Sequence, residues 1–241
     1  MKGKRNIRMA IAKRELASWF SSPVAYIVAG VFLVFSGFLF FSTFFLVNRA
    51  ELRGFFAILP VVFAFFVPAI TMRLFAEETR SGSAETLMTL PVSGFDVTAG
   101  KYLAGLVSSA SILVPTLAYA VTAAILGDVE WGPIAGGYLG ALFLAAAFTA
   151  IGLFASALTN NQIIAFFVAF TVSILLATID RFLVIFPAVI VAPLEYLSAG
   201  YHFESVSRGI LDSRDVVYFA SVTALFLALT VRAVDARRSP K

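Results

Sequence analysis

From Trp131 through Ile179 the chain carries no Asp, Glu, Lys or Arg, and three further charge-free runs cover 16–48, 54–72 and 102–127. A helix needs about 20 apolar residues to cross roughly 30 Å of hydrocarbon. The long run therefore holds two crossings and each shorter run holds one, a pattern that belongs in a bilayer. Composition agrees: 60% of the residues are hydrophobic and 13% are charged, whereas a soluble domain is about a quarter charged. A soluble fold of this length has nowhere to hide that much apolar surface. There is no cysteine, which excludes a disulfide framework and thiolate metal sites. The first crossing is not a cleavable signal, because a basic stretch leads into an apolar run of more than about 20 residues without a small-residue cleavage site.

The spans read as 24–47, 55–73, 102–126, 134–157, 162–179 and 215–232. Six crossings put both termini on one side. That side receives Lys2, Lys4, Arg5, Arg8, Lys13, Arg14, Arg73, Arg80, Lys101, Arg232, Arg237, Arg238 and Lys241, which is 13 of the 18 basic residues. The excess of cations marks it as cytoplasmic. Two linkers are long. The cytoplasmic one, 74–100, carries Glu77, Glu78, Arg80, Glu85 and Asp96; the external one, 180–214, mixes Asp180, Arg181, Glu195, His202, Glu204, Arg208, Asp212 and Arg214 with apolar residues. Within the external linker, Phe182 to Leu194 is uncharged, broken by Pro187 and Pro193, and too short to cross. It reads as a re-entrant or interfacial hairpin, with a kinked extension of the fifth span as the alternative.

Before the first span, Met9, Ala12, Leu16, Trp19 and Phe20 share one helical face, opposite Arg14, Glu15, Ser18 and Ser21. This predicts an amphipathic helix in the interface, with Arg8 and Lys13 placed for anionic headgroups. The plainer alternative is a basic leader that sets orientation. Ser22-Pro23 ends the helix, since the residue before proline resists the α region and proline suits the first turn of a new helix. Residues 1–23 thus form an elbow.

In the cytoplasmic linker, Ser83 is placed to cap a short helix from Ala84 to Leu90, with Glu85 in the dipole-favoured first turn and Pro91 as its stop. Leu87 and Leu90 share a side. Two turns are marginal alone, so the helix needs a partner protein on its apolar edge or pinning by the neighbouring spans.

The order Arg73, Glu77-Glu78, Gly82, Glu85, Leu87, Pro91-Val92-Ser93 and Gly100-Lys101 resembles the cytoplasmic coupling region of type-two ABC exporter permeases. The opening Lys13-Arg14-Glu15-Leu16, with Trp19 and Ser22-Pro23-Val24-Ala25-Tyr26 beyond it, resembles their amino-terminal elbow. Leu197-Ser198-Ala199-Gly200-Tyr201-His202-Phe203-Glu204-Ser205, Arg208-Gly209 and Asp215-Val216-Val217-Tyr218-Phe219 are similar to the gliding-motility, GldF-like branch of that family. The resemblance spans essentially the whole chain and implies one all-α transmembrane domain over 1–241. It would have six spans, an elbow, a coupling helix and an external re-entrant segment. It further implies a permease in the bacterial cytoplasmic membrane, both termini cytoplasmic, dimeric with itself or a related permease. ATP and magnesium would be used by a separate ABC ATPase, and an auxiliary membrane protein with an external domain is a further implied partner. Under that carry-over Glu77, Glu78, Arg80, Gly82, Glu85, Leu87, Leu90 and Pro91 form the ATPase-docking region. The elbow contributes Arg14, Glu15, Trp19 and Pro23, and the external loop contributes His202, Glu204 and Arg208. For Glu77, Glu78 and Arg80 the plain alternative is a solvated charge cluster that keeps the linker out of the bilayer.

Other motifs carry less. Gly94 to Gly100-Lys101 imitates a phosphate loop, but five residues intervene instead of four and Tyr102 stands where Ser or Thr must reach magnesium. The plain reading is a turn followed by Lys101 snorkelling at the foot of the third span. His202 is the single histidine, with no acidic set at metal-ligand spacing; it reads as a hydrogen-bonded loop residue or, with Glu204, as a docking patch. The spans lack the carboxylate or histidine relay of a proton-coupled carrier. Asp180-Arg181 is the nearest candidate, with local neutralisation at the interface as the simpler use. Gly136, Gly137 and Gly140 allow close helix approach, and Pro60, Pro68 and Pro115 are placed to bend helices. No paired carboxylates or Ser/His set supports an intramembrane hydrolase, and nothing suggests a nucleic-acid partner. The rival to a permease is a non-transporting scaffold that anchors an external complex.

Overall fold

Backbone groups in hydrocarbon must be satisfied within their own segment, and a single apolar chain does this by coiling into helices. The computed structural model describes residues 2–47, 51–82, 93–185 and 187–238. Helix α1 (Lys2–Ser21) precedes α2 (Pro23–Val47), α3 (Arg53–Thr71), α4 (Arg73–Ser81), α5 (Gly94–Ser111) and α6 (Leu117–Leu126). Then come α7 (Trp131–Leu158), α8 (Gln162–Thr178), α9 (Ala188–Leu197), α10 (Ala199–Ser207) and α11 (Ser213–Arg238). Six stretches are long and apolar enough to cross a membrane: Pro23–Ser42, Arg53–Ser81, Gly94–Leu126, Trp131–Leu158, Gln162–Leu183 and Ser213–Arg237. All six expected spans are present. The predicted coupling helix, with Glu85, Leu87, Leu90 and Pro91, lies outside the described residues.

Helices α3 and α7 form the centre of the bundle and are buried through most of their length, while α2, α8 and α11 turn apolar side chains outward. The core is aromatic. Phe40, Phe55 and Tyr119 interlock between α2, α3 and α6, and Tyr119 donates to the Leu33 carbonyl at 2.9 Å. The glycine cluster of α7 works as its composition predicts. A Cβ on Gly137 would collide with the Phe56 ring, and one on Gly136 would meet the Val206 carbonyl at 2.5 Å. Thus α3 and α10 both approach α7 at its glycines.

The prolines act unequally. Pro115 sits in a 3-10 turn, Val114–Thr116, that divides the third span into α5 and α6. Pro60 and Pro68 lie inside a continuous α3, and the break comes after them at Met72. There Ser156 of α7 enters the ladder. Its hydroxyl accepts from the Phe75 and Ala76 amides at 2.9 and 3.0 Å and donates to the Met72 carbonyl at 2.7 Å. A side chain that supplies the missing bonds stabilises such an irregularity.

Two sequence expectations change. The 74–100 linker is mostly helical, because α4 runs on to Ser81 and α5 starts at Gly94, which leaves 82–93 between them. The external segment after α8 is a 3-10 stretch, Ile179–Ile185, then α9 with Pro193 inside it, then α10 laid against α7. The 3-10 stretch carries the fifth apolar run on to Leu183, and α10 returns to the bundle against α7.

Candidate functional site

The described polar groups concentrate at the end of the bundle that carries α1, α4, the start of α5 and the end of α11. Lys101, the residue expected to snorkel, does the opposite. Its side chain is fully buried, and its ammonium lies 3.0 Å from Glu15 of α1, 3.0 Å from Glu78 of α4 and 2.6 Å from the Leu74 carbonyl. The Phe75 ring lies beside it at 5.1 Å. A buried charge is tolerable only when paired and hydrogen-bonded, and those partners sit within reach, so the side chain has no reason to leave. Arg14 completes the arrangement at 2.9 Å from Glu15 and 2.8 Å from Glu78. Two cations and two carboxylates balance. Burial pushes the Glu15 carboxyl up, but the Lys101 charge and the hydrogen bonds from Arg14 and Lys101 outweigh it and hold it below its ordinary value.

A second clamp lies one helical turn and more away. Ser93 caps α5, accepting from the Asp96 amide at 3.1 Å and donating to its carboxylate at 2.5 Å. Arg8 of α1 binds the other carboxylate oxygen at 2.6 Å and covers the Phe95 ring at 4.8 Å. Between the clamps Gly100 lets α1 approach α5: a Cβ there would fall 2.9 Å from both the Arg8 carbonyl and Ile11. At the far end of α1, the Arg73 guanidinium lies 4.7 Å from the Trp19 ring. Arg237 of α11 donates to Thr79 of α4 at 3.1 Å. Helix α4 ends at Gly82, whose φ of +75° suits glycine. A cavity of about 420 Å³ between α1, α4 and α5 is lined by Trp19, Arg73, Glu77, Glu78 and Ser108 among others.

The elbow packs on the bundle through a face that shares Ala12 and Trp19 with the apolar face read from sequence and adds Arg8 and Glu15. Arg8, Ala12, Glu15 and Trp19 face the bundle, whereas Met9 and Phe20 are exposed. Pro23 opens α2 after the Ser22 bend, as read from sequence. Glu78 belongs to the buried network, while Glu77, Arg80 and Gly82 lie on the rim. Ser156, Asp96 and the role of Lys101 were not found by sequence reasoning. A lone cation at the start of a span, preceded by a pair of glutamates, is the signal that could have pointed to the pairing of Lys101.

At the opposite end, His202 is buried on α10. Its Nε2 donates to the Tyr196 carbonyl at 3.0 Å and its Nδ1 lies 2.7 Å from the Asp215 carboxylate of α11. The Tyr218 ring stacks on the imidazole at 4.1 Å and its hydroxyl donates to the Leu197 carbonyl at 2.7 Å. These bonds fasten α9 and α10 to the start of α11. Glu204 and Arg208 are exposed and paired one turn apart. Asp180 and Arg181 do not neutralise each other: Asp180 accepts from Ser198 at 2.8 Å, and Arg181 donates to the Ala57 carbonyl at 3.2 Å.

Six helices long and apolar enough to cross a membrane mark a multi-pass membrane protein. Within that class, the chain belongs to the ABC-2 family transporter proteins, whose sequence profile matches residues 24–231. It is accordingly a permease subunit of an ABC transporter. No curated protein matches it.

Proposed function

We propose that this permease couples ATP hydrolysis in a separate ABC ATPase to export or to force on an external partner. It would work in the bacterial cytoplasmic membrane, with both termini cytoplasmic, paired with itself or with a related permease. ATP and magnesium belong to the ATPase, which docks on the segment between α4 and α5, through Glu85, Leu87 and Leu90 with Glu77 and Arg80 at the rim. The observation that carries this reading is the buried Lys101. It fastens α4 and α5, the helices on either side of that segment, to one another and to the elbow. A push on the segment is then delivered to α1, α4 and α5 together. A nucleotide biases the bundle only if the segment prefers different positions in the two ATPase states. The external segment over 180–214, in this reading, receives the auxiliary protein of the gliding-motility-like branch.

The test is a mild-detergent pull-down of the tagged chain with identification of its partners. A stoichiometric P-loop ATPase is expected from wild type. Glu85→Arg and Leu87→Asp should insert normally yet lose the ATPase, or keep it without coupled turnover. A stable complex that contains no ATPase would move the reading to a membrane scaffold.

A further inference from the structure

Cations are scarce at the end of the bundle opposite Lys101, yet three of them meet at one place. Arg53 at the start of α3, Arg181 just after α8 and Arg208 at the end of α10 line a cavity of about 380 Å³ floored by Phe56, Pro60 and Phe203. The two carboxylates on its wall are occupied, Asp180 by the Ser198 hydroxyl and Glu204 by Arg208. Arg181 has no carboxylate within 4.0 Å among the described residues, and one carbonyl, that of Ala57, takes one of its donors. A guanidinium offers five N–H groups in a planar fork suited to phosphate or carboxylate. Arg53 is held only loosely, 3.6 Å from Glu51.

The floor says what the anion is attached to. Ala57, Val61 and Phe65 continue along one edge of α3 from the cavity toward the middle of the span, at the i, i+4, i+8 spacing of a single face. Ala57 is exposed, Phe65 is 46% exposed, and its ring meets Phe166 and Phe170 of α8. An inorganic anion has no use for such a strip. An acyl chain does, since it can pack against an apolar helix face without leaving the hydrocarbon. We propose that this cavity binds an anionic amphiphile, its phosphate or carboxylate held by Arg181 and Arg53 and its chain laid along the Ala57–Phe65 edge. The site is independent of the coupling role of the Lys101 corner.

The purified full chain in detergent should retain phosphatidylglycerol, by native mass spectrometry and thermal shift, in preference to phosphatidylcholine of identical chains. Inorganic phosphate should give no shift. Arg181→Gln should weaken phosphatidylglycerol binding about tenfold, the loss expected for one charge-assisted hydrogen bond. Ser207→Glu, which adds a negative charge to the rim and removes no arginine, should weaken it as well, and Arg214→Gln, outside the cavity, should not. Equal retention of the two lipids, or unchanged binding in both rim variants, overturns the proposal. A phosphate shift equal to that of the lipid overturns the amphiphile. Extraction of lipid that co-purifies with wild type distinguishes the source: a bulk membrane phospholipid marks a structural lipid, and another anionic amphiphile marks cargo, the site standing in either case.

Discussion

Lys101 sets the energetics of its corner because its burial makes pairing obligatory. Removing both carboxylates strands an ammonium in low dielectric, which costs about 3–5 kcal/mol for a broken buried pair. Removing the lysine leaves Glu15 and Glu78 still joined to Arg14. The expected order is therefore asymmetric: the double variant Glu15→Gln, Glu78→Gln should lower the melting temperature in detergent more than Lys101→Met does. The reverse order would contradict the assignment. Acid should act through the same group. The Glu15 carboxyl is depressed in the folded chain, so its contribution is complete above the ordinary value of 4.5 and is lost as pH falls below it. The stability gap between wild type and Glu15→Gln should narrow over that acid window and be constant near neutrality.

Among elements, α10 depends on a contact that backbone atoms make. A methyl group on Gly136 would fall 2.5 Å from the Val206 carbonyl and 2.9 Å from the Gly209 Cα, neither of which can rotate away. Gly136→Ala should therefore destabilise the fold by about 1–3 kcal/mol, the cost of overpacking. Gly30→Ala, with nothing within 4 Å of the new Cβ, should be neutral or mildly stabilising in the same thermal assay. The six spans were legible in the sequence because a charge-free run of membrane length is stable in few places besides a bilayer, and the Ser22-Pro23 elbow was legible because proline acts locally. The extents of α4 and α5 were not. Their charged residues look like a linker when judged by run length, and the partners that bury Lys101 lie on other helices. The elbow was half legible. Its helix was expected, but Glu15 was put on the outer face because Lys101, its partner, lies 86 positions away. His202 was recognisable as a bonded histidine, whereas its carboxylate partner became identifiable only once α10 was seen against α11.

At the scale of the whole molecule, the second and third spans are longer than a bilayer requires. Arg53–Ser81 has 29 residues and Gly94–Leu126 has 33, which at about 1.5 Å per residue gives roughly 43 and 50 Å. The hydrocarbon takes about 30 Å. The charged corner, with Lys101 at its centre, lies at one end of both rods, so under the proposed coupling they would move there as a single lever arm with the bilayer as fulcrum. The turn at Pro115 would then serve as a joint in the longer rod. Under that coupling a displacement at the tip would become a swing of the α5 half of the third span, while the α6 half, gripped through Tyr119 by α2 and α3, would keep its place.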